Sequence, residues 1–350
     1  MNSTTIQKSN EKLINQEYVF KLSDDEKEIL YQELDQIQYD PTGSTSYIAE
    51  VRMAALRAMP SRIIDCLNEQ KASLKPMPYI IFENLPLDKS VTSTPEPQIV
   101  DPDVKSGFIS ENLAIAVASL IGEPYSILHE GHNIVNNLIP SIEAKREYTG
   151  LGSEVELDFH IENAALKFMG DKNFSPCGLL LTGVRHDSQG PLTRIADARE
   201  ALRLLSQSDI DLLCQPLYKI KVPYRWRLSM PGKMQETYLV PLIQGNIELP
   251  EIAAAFYPDM VIPANDLAAT ALRNFHDAVR KVSFGLDVSP GRLVYIDNRF
   301  TFHSRDAFKP SFDESGRPFR WVQRVIVAPN LWNHRNLEQV KARVFKPIFN

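Results

Sequence analysis

Phe159-His160-Ile161-Glu162-Asn163-Ala164 carries the reading of this chain, together with Arg299-Phe300-Thr301-Phe302-His303-Ser304-Arg305 much further along. In an extended segment successive side chains point to opposite faces, so His160 and Glu162 project the same way. Two imidazoles and one carboxylate can hold one face of a ferrous ion and leave the opposite face open to a co-substrate and dioxygen. His160 and Glu162 offer two of these groups, and His303, on a second strand-like run, offers the third. A His-x-Glu triplet alone is common by chance. The distant histidine and the residues around it give the triplet its weight.

The runs on either side set the fold class. Short strand-like stretches at 134–139, 154–161, 178–184, 192–196, 218–227, 237–243, 293–297, 301–303 and 321–327 are separated by turn residues. One long helix interrupts them at 265–282, with Leu267, Ala271, Leu272, Phe275 and Val279 on one face. The N-terminal third reads differently. Ser23-Asp24-Asp25-Glu26 is a capping box ahead of a helix to about Gln36. Apolar residues from Ile48 to Leu67 recur at helical spacing, and Pro60 should break that pattern. Residues 76–82 form a short apolar strand, 88–103 a loop rich in Pro, Ser and Thr, and Ser110 opens a helix ending at Gly122. The first dozen residues are polar and expected to fray. The architecture expected is mainly β with helical bracing (α+β). A helical part over 1–122 precedes a sandwich or barrel of strands over 123–335, with a helical insert at 264–283. No linker of suitable composition divides the chain, so one domain over 1–350 is expected.

Composition narrows the function classes. At 350 residues and 43% hydrophobic the chain can bury a large core. A net charge of −6 with no basic stripe argues against a nucleic-acid partner. Met1-Asn2-Ser3-Thr4-Thr5 lacks the apolar core of a secretory signal, and no run of apolar residues is long enough to span a membrane. Cys66, Cys177 and Cys214 are sparse, odd in number and without metal-ligand spacing, which fits a reducing cytoplasm. Assembly into a homo-oligomer is left open.

Basic residues follow His303 in Arg317, Arg320 and Arg324. A ferrous oxygenase using 2-oxoglutarate needs a fixed cation for the far carboxylate of that co-substrate, and arginine does this through a bidentate fork. On an extended strand Arg320, Val322 and Arg324 share a face, so two guanidinium groups can line one pocket. The bland alternative, a solvated edge, sits poorly with Trp321, Val325 and Val327. His129-Glu130-Gly131-His132 is a second candidate cluster, but its glycine and the following Ile134-Val135 read as a loop before a strand. His186, His276 and His334 have no evident chemical partner in the sequence.

Phe159-His160-Ile161-Glu162-Asn163-Ala164 resembles the Trp/Phe-His-Thr-Glu-x-Ala segment of the clavaminate synthase-like iron and 2-oxoglutarate oxygenases, which include free asparagine, arginine and lysine hydroxylases. His303-Ser304-Arg305-Asp306-Ala307-Phe308-Lys309-Pro310, followed by Arg320-Trp321-Val322-Gln323-Arg324, is similar to that family's second motif. The resemblance spans about residues 125–335. It implies a double-stranded β-helix, a cupin-like jelly roll. It also implies His160, Glu162 and His303 as ligands of Fe(2+). Arg320 with Thr193 would bind 2-oxoglutarate, while Arg324 and Asn136 would bind the substrate, with dioxygen as the other co-substrate. The turn at 311–319 is longer than the family's, which makes Arg317 a competitor for Arg320. A carboxylate at Glu162, where related halogenases carry a small residue, implies hydroxylation.

The substrate implied is a free L-amino acid, with L-lysine hydroxylated at C3 or C4 as first choice and arginine or asparagine as alternatives. Glu130, Asp158 and Asp297 are the candidates for meeting a lysine ammonium. Two other classes remain: a jelly-roll binding protein with a dead site, and a cupin-like isomerase or metal hydrolase that would not need Arg320.

Overall fold

Gly178–Arg185 and Trp321–Ala328 are the two long apolar strands, and both are buried along almost their whole length. In this computed structural model, which describes residues 14–347 apart from 98, 171–172, 229, 231 and 233–234, they pair antiparallel at the centre of a large sheet. Outward from Gly178–Arg185 lie Leu293–Asp297, Tyr79–Glu83 and Val19–Lys21. Beyond Trp321–Ala328 lie Glu123–Ile127, Val344–Lys346 and Glu338–Lys341, and Asn136–Leu138 pairs with the same long strand. A smaller antiparallel sheet runs in the order Phe284–Leu286, Thr193–Asp197, Thr301–Arg305, Leu157–His160.

Alternation along the strands divides the apolar residues between two cores. Leu179, Leu181, Val294, Val322 and Ile326 pack with Phe159, Ile195, Phe284 and Phe302 of the smaller sheet. The opposite faces, with Ile80, Phe82, Leu180, Tyr295, Val325 and Val327, pack against helices Asp24–Asp35, Thr45–Ala58, Ser61–Ala72 and Ile109–Ile121. Two facing sheets with a helical layer behind the larger one give the expected mainly β architecture and jelly-roll core.

Local chemistry explains the helix boundaries. Ser23 and Glu26 form both halves of the capping box. The apolar pattern from Ile48 onward splits at Pro60 into two helices, because proline cannot donate within a helix. Asp88 accepts from the backbone N–H groups of Ile109 and Ser110 and so caps the next helix, which begins at Ile109. Gly122 ends that helix where a Cβ would lie 2.5 Å from the carbonyl oxygen of Ala328.

Several expected boundaries move. The 218–227 run is a strand only over Tyr218–Ile220; Pro223 then starts a short helix, Tyr224–Arg227. The 237–243 run makes one isolated bridge, Val240 to Tyr218, and its ladder begins at Ile243–Asn246, past Pro241, which lacks a donor. On helix Asp266–Val282, Phe275 and Val279 are buried as expected, whereas Leu267 is 68% exposed. Helices Ala198–Leu202 and Gln207–Leu213 were not anticipated. The residues expected to fray at the N-terminus lie outside the described ones.

Candidate active site

Antiparallel pairing brings the two distant histidines together. His303 is the direct cross-strand partner of His160, and their ring centroids are 4.1 Å apart. The strand ends at His160, and the next two residues are pinned individually. Ile161 donates its N–H to Ala254 O at 2.9 Å. Asn298 holds the Glu162 backbone on both sides, accepting its N–H at 2.7 Å and donating to its carbonyl at 3.0 Å. Asn163 then turns the chain away at φ 52°. One ligand atom from each of His160, Glu162 and His303 lies within 4.8 Å of the others, and all three residues are buried.

The donor set fits a ferrous ion. His160 Nδ1 lies 2.9 Å from Asp158 O, so a proton donated there leaves Nε2 free for a metal. Burial, reinforced by His303, pushes the His160 imidazole down to about 3, which keeps it neutral and able to ligate. Burial alone would raise the Glu162 carboxyl. The Arg324 guanidinium and the bond to His303 outweigh it and hold Glu162 well below the ordinary carboxylate range.

Four arginines, Arg225, Arg305, Arg320 and Arg324, line the same cavity. Arg324 donates to Glu162 Oε2 at 2.9 Å, to Glu130 Oε2 at 2.8 Å and to Asn136 Oδ1 at 3.1 Å. Asn136 is its cross-strand partner. Arg320 is buried too, yet among the described residues its side chain's hydrogen bond is to the Leu138 carbonyl alone, at 3.5 Å. No carboxylate among the described residues is within ion-pair range of it, and burial pulls its guanidinium down to about 10. Thr193 lines the cavity beside it. Asp287 and Asp187 lie near enough to offset part of that burial without reaching Arg320, and a buried guanidinium with no ion-pair partner suits the far carboxylate of 2-oxoglutarate.

Arg317, the competitor, is half exposed and ion-paired to Glu96 outside the cavity. Glu130 lines the cavity, but Asp158 binds His276 and Arg280, and Asp297 binds Arg299 and Gln70. His129 packs on Trp226, and no second metal-type cluster forms among the described residues. Sequence reading missed Asn298, whose Asp-Asn turn carries no periodic signal. It also missed Tyr148, Trp226 and Tyr257, which loops and a short helix bring to the wall. Asn163 lines the cavity with a buried amide, neither atom of which has a partner among the described residues.

A family model described as taurine catabolism dioxygenase TauD, TfdA family matches residues 108–326. An L-asparagine oxygenase of Streptomyces coelicolor is 28% identical over 258 residues, covering 73% of this chain and 72% of that protein. An L-lysine 3-hydroxylase of Catenulispora acidiphila is 26% identical over 283 residues, covering 77% and 73%. A crystal structure of asparagine oxygenase with Fe(II), 2S,3S-3-hydroxyasparagine and succinate superposes with a TM-score of 0.80 at 24% identity, covering 95% of this chain and 100% of that one. A family match over more than half the chain, on a fold shared nearly end to end, places this protein in the TauD/TfdA family of iron(II)- and 2-oxoglutarate-dependent dioxygenases.

Proposed function

We propose that this enzyme hydroxylates an unactivated carbon, C3 or C4, of a free L-amino acid. One observation carries the reading: a buried His-Glu-His cluster opens into a cavity that also holds Arg320, buried with no ion-pair partner among the described residues, and Arg324, flanked by carboxylates. The reading assigns His160, Glu162 and His303 to the metal, Arg320 and Thr193 to the far carboxylate of 2-oxoglutarate, and Arg324 to the substrate carboxylate. Asn136 orients Arg324. Glu130, beside Arg324, suits the α-ammonium, so the pair would read a zwitterion. Bound iron supplies oxidative decarboxylation of 2-oxoglutarate coupled to hydroxylation of a C–H bond. The chain's own contribution is to bind, orient and keep water out with Leu138, Leu151, Leu179 and Val322.

Unpaired Cys66, Cys177 and Cys214 suit a reducing cytoplasm, where we place the enzyme. No helix among the described residues is long and apolar enough to cross a membrane.

The test is to supply iron-loaded protein with 2-oxoglutarate and each proteinogenic amino acid in air, and to measure succinate and a product heavier by one oxygen atom. Succinate formation coupled to such a product is expected with at least one free amino acid. Succinate at background with every amino acid would sink the reading. That result would favour a binding protein with a dead site, against which the intact triad and buried Arg320 now stand.

A further inference from the structure

We propose that the substrate side chain is uncharged and packs on a wall formed by Tyr148 and Tyr257, an inference that rests on the free amino-acid reading. Tyr257 is buried beside the metal cluster, edge-on to His160 at 5.6 Å between ring centroids. With Ala255 and Met260 it forms an apolar cluster apart from the main core, and Tyr148, Leu157 and Tyr224 pack onto it. Tyr148, Leu157 and Tyr257 line the cavity. A side chain extending from a carbon near the metal would therefore meet aromatic and aliphatic surface.

A cationic side chain finds no acid there. Among the described residues lining the cavity, the carboxylates are Glu130 and Glu162, and Arg324 engages both. Glu130 also accepts from Trp226 Nε1 at 3.0 Å. The acids nearest the wall in sequence are Glu147, half exposed and turned to Arg225 at 3.5 Å, and Asp259, half exposed and turned to Lys221 at 2.5 Å and Arg227 at 3.0 Å. The same cavity already carries the guanidinium groups of Arg225, Arg305, Arg320 and Arg324. A side-chain ammonium at this wall would meet no uncommitted carboxylate among the described residues that line the cavity, a penalised arrangement.

The ring faces do not form a cation cage either. Tyr148 and Tyr257 lie nearly parallel, at 10° and 6.1 Å, so each turns a face to the other. Tyr224 carries the Arg227 guanidinium 4.4 Å over its ring. A side-chain carboxylate would have to draw on Arg225, which faces Glu147 at 3.5 Å, or on Arg305, whose guanidinium already donates to the carbonyls of Ser153, Val155 and Asp306. Uncharged side chains of the size of leucine, methionine, phenylalanine or glutamine match what remains.

The test measures binding by calorimetry without dioxygen, on protein holding iron and 2-oxoglutarate, and then turnover in air. L-leucine, L-methionine, L-phenylalanine and L-glutamine are compared with L-lysine, L-arginine and L-aspartate. The best uncharged amino acid is expected to bind at least about tenfold more tightly, and to have a kcat/KM at least about tenfold higher, than any charged one. Tyr148→Glu, which adds a carboxylate to the wall, should narrow the gap to L-lysine at least about tenfold. Its melting temperature and 2-oxoglutarate affinity report that fold and co-substrate site are intact. Turnover of L-lysine, L-arginine or L-aspartate equal to the best uncharged amino acid overturns the inference and leaves the amino-acid reading standing. Absence of binding and turnover with every amino acid removes the amino-acid reading and this inference with it.

Discussion

Each site residue owes its position to a different constraint, and those constraints differ in how visible they are in the sequence. His160 and Glu162 were legible because a period of two is a property of extended backbone. His303 became legible through its surroundings, and cross-strand register explains why it faces His160. His303→Ala is expected to lower iron affinity and turnover at least ~100-fold, since even residues behind metal ligands have effects of that order. Circular dichroism and the melting temperature should stay near wild type, and loss of the folded signal would mean that His303 is structural. Arg320→Ala removes a buried charge partner and should raise the KM for 2-oxoglutarate about 30-fold or more. Arg317→Ala, on the exposed Glu96 pair, should leave that KM unchanged. If the two variants behave the other way round, Arg317 is the anchor. Tyr257 and Asn298 were not legible, because their roles depend on where turns deliver them.

At the scale of elements, local rules worked where the chain pays no heed to distant partners and failed where proline or solvent intervened. The Ser23 capping box and the break at Pro60 are decided by neighbours in sequence, and both are present, while the stop at Gly122 also answers to the distant Ala328 carbonyl. Strand limits in 218–243 were misjudged because an apolar run does not by itself ensure a pairing partner, and Pro223 and Pro241 remove donors from any ladder. Helix Asp266–Val282 separates two apolar positions that periodicity had put on one face. Phe275 is fully buried against Phe302, with centroids 5.6 Å apart, while Leu267 in the first turn reaches beyond the contact surface. Phe275→Ala should therefore cost about 3–5 kcal/mol in chemical denaturation. Leu267→Ala should stay within about 0.5 kcal/mol. Equal losses at both positions would mean that the helix buries a broader face than its exposure indicates.

At the scale of the molecule, the helical layer and the strands are joined by buried polar groups as well as by apolar packing. Lys105 Nζ sits among Asp88 at 3.0 Å, Glu111 at 2.5 Å and Ser110 at 3.2 Å, and Glu111 in turn accepts from Gln323 on the strand that follows Arg320. Such a link couples the helical layer to the strands behind the site. Outside the metal cluster, His334 contributes to the pH response. This ring is packed between Tyr125, Phe174 and Phe345, with centroids 4.4, 6.0 and 5.1 Å away, and neither nitrogen has a hydrogen-bond partner among the described residues. Burial holds its imidazole down to about 4, against 6.5 for a free histidine. Between those values the unfolded chain binds a proton that the folded chain refuses. The stability contribution is therefore complete above pH 6.5 and is lost as pH falls toward 4, by on the order of 3 kcal/mol. His334→Phe fills similar space with no group to protonate and no buried nitrogen left unbonded. The variant should match or exceed wild type at pH 7, and its advantage in urea denaturation should widen steadily as the pH is lowered to about 4.5. An advantage that stays constant across that range would place the proton uptake at another group.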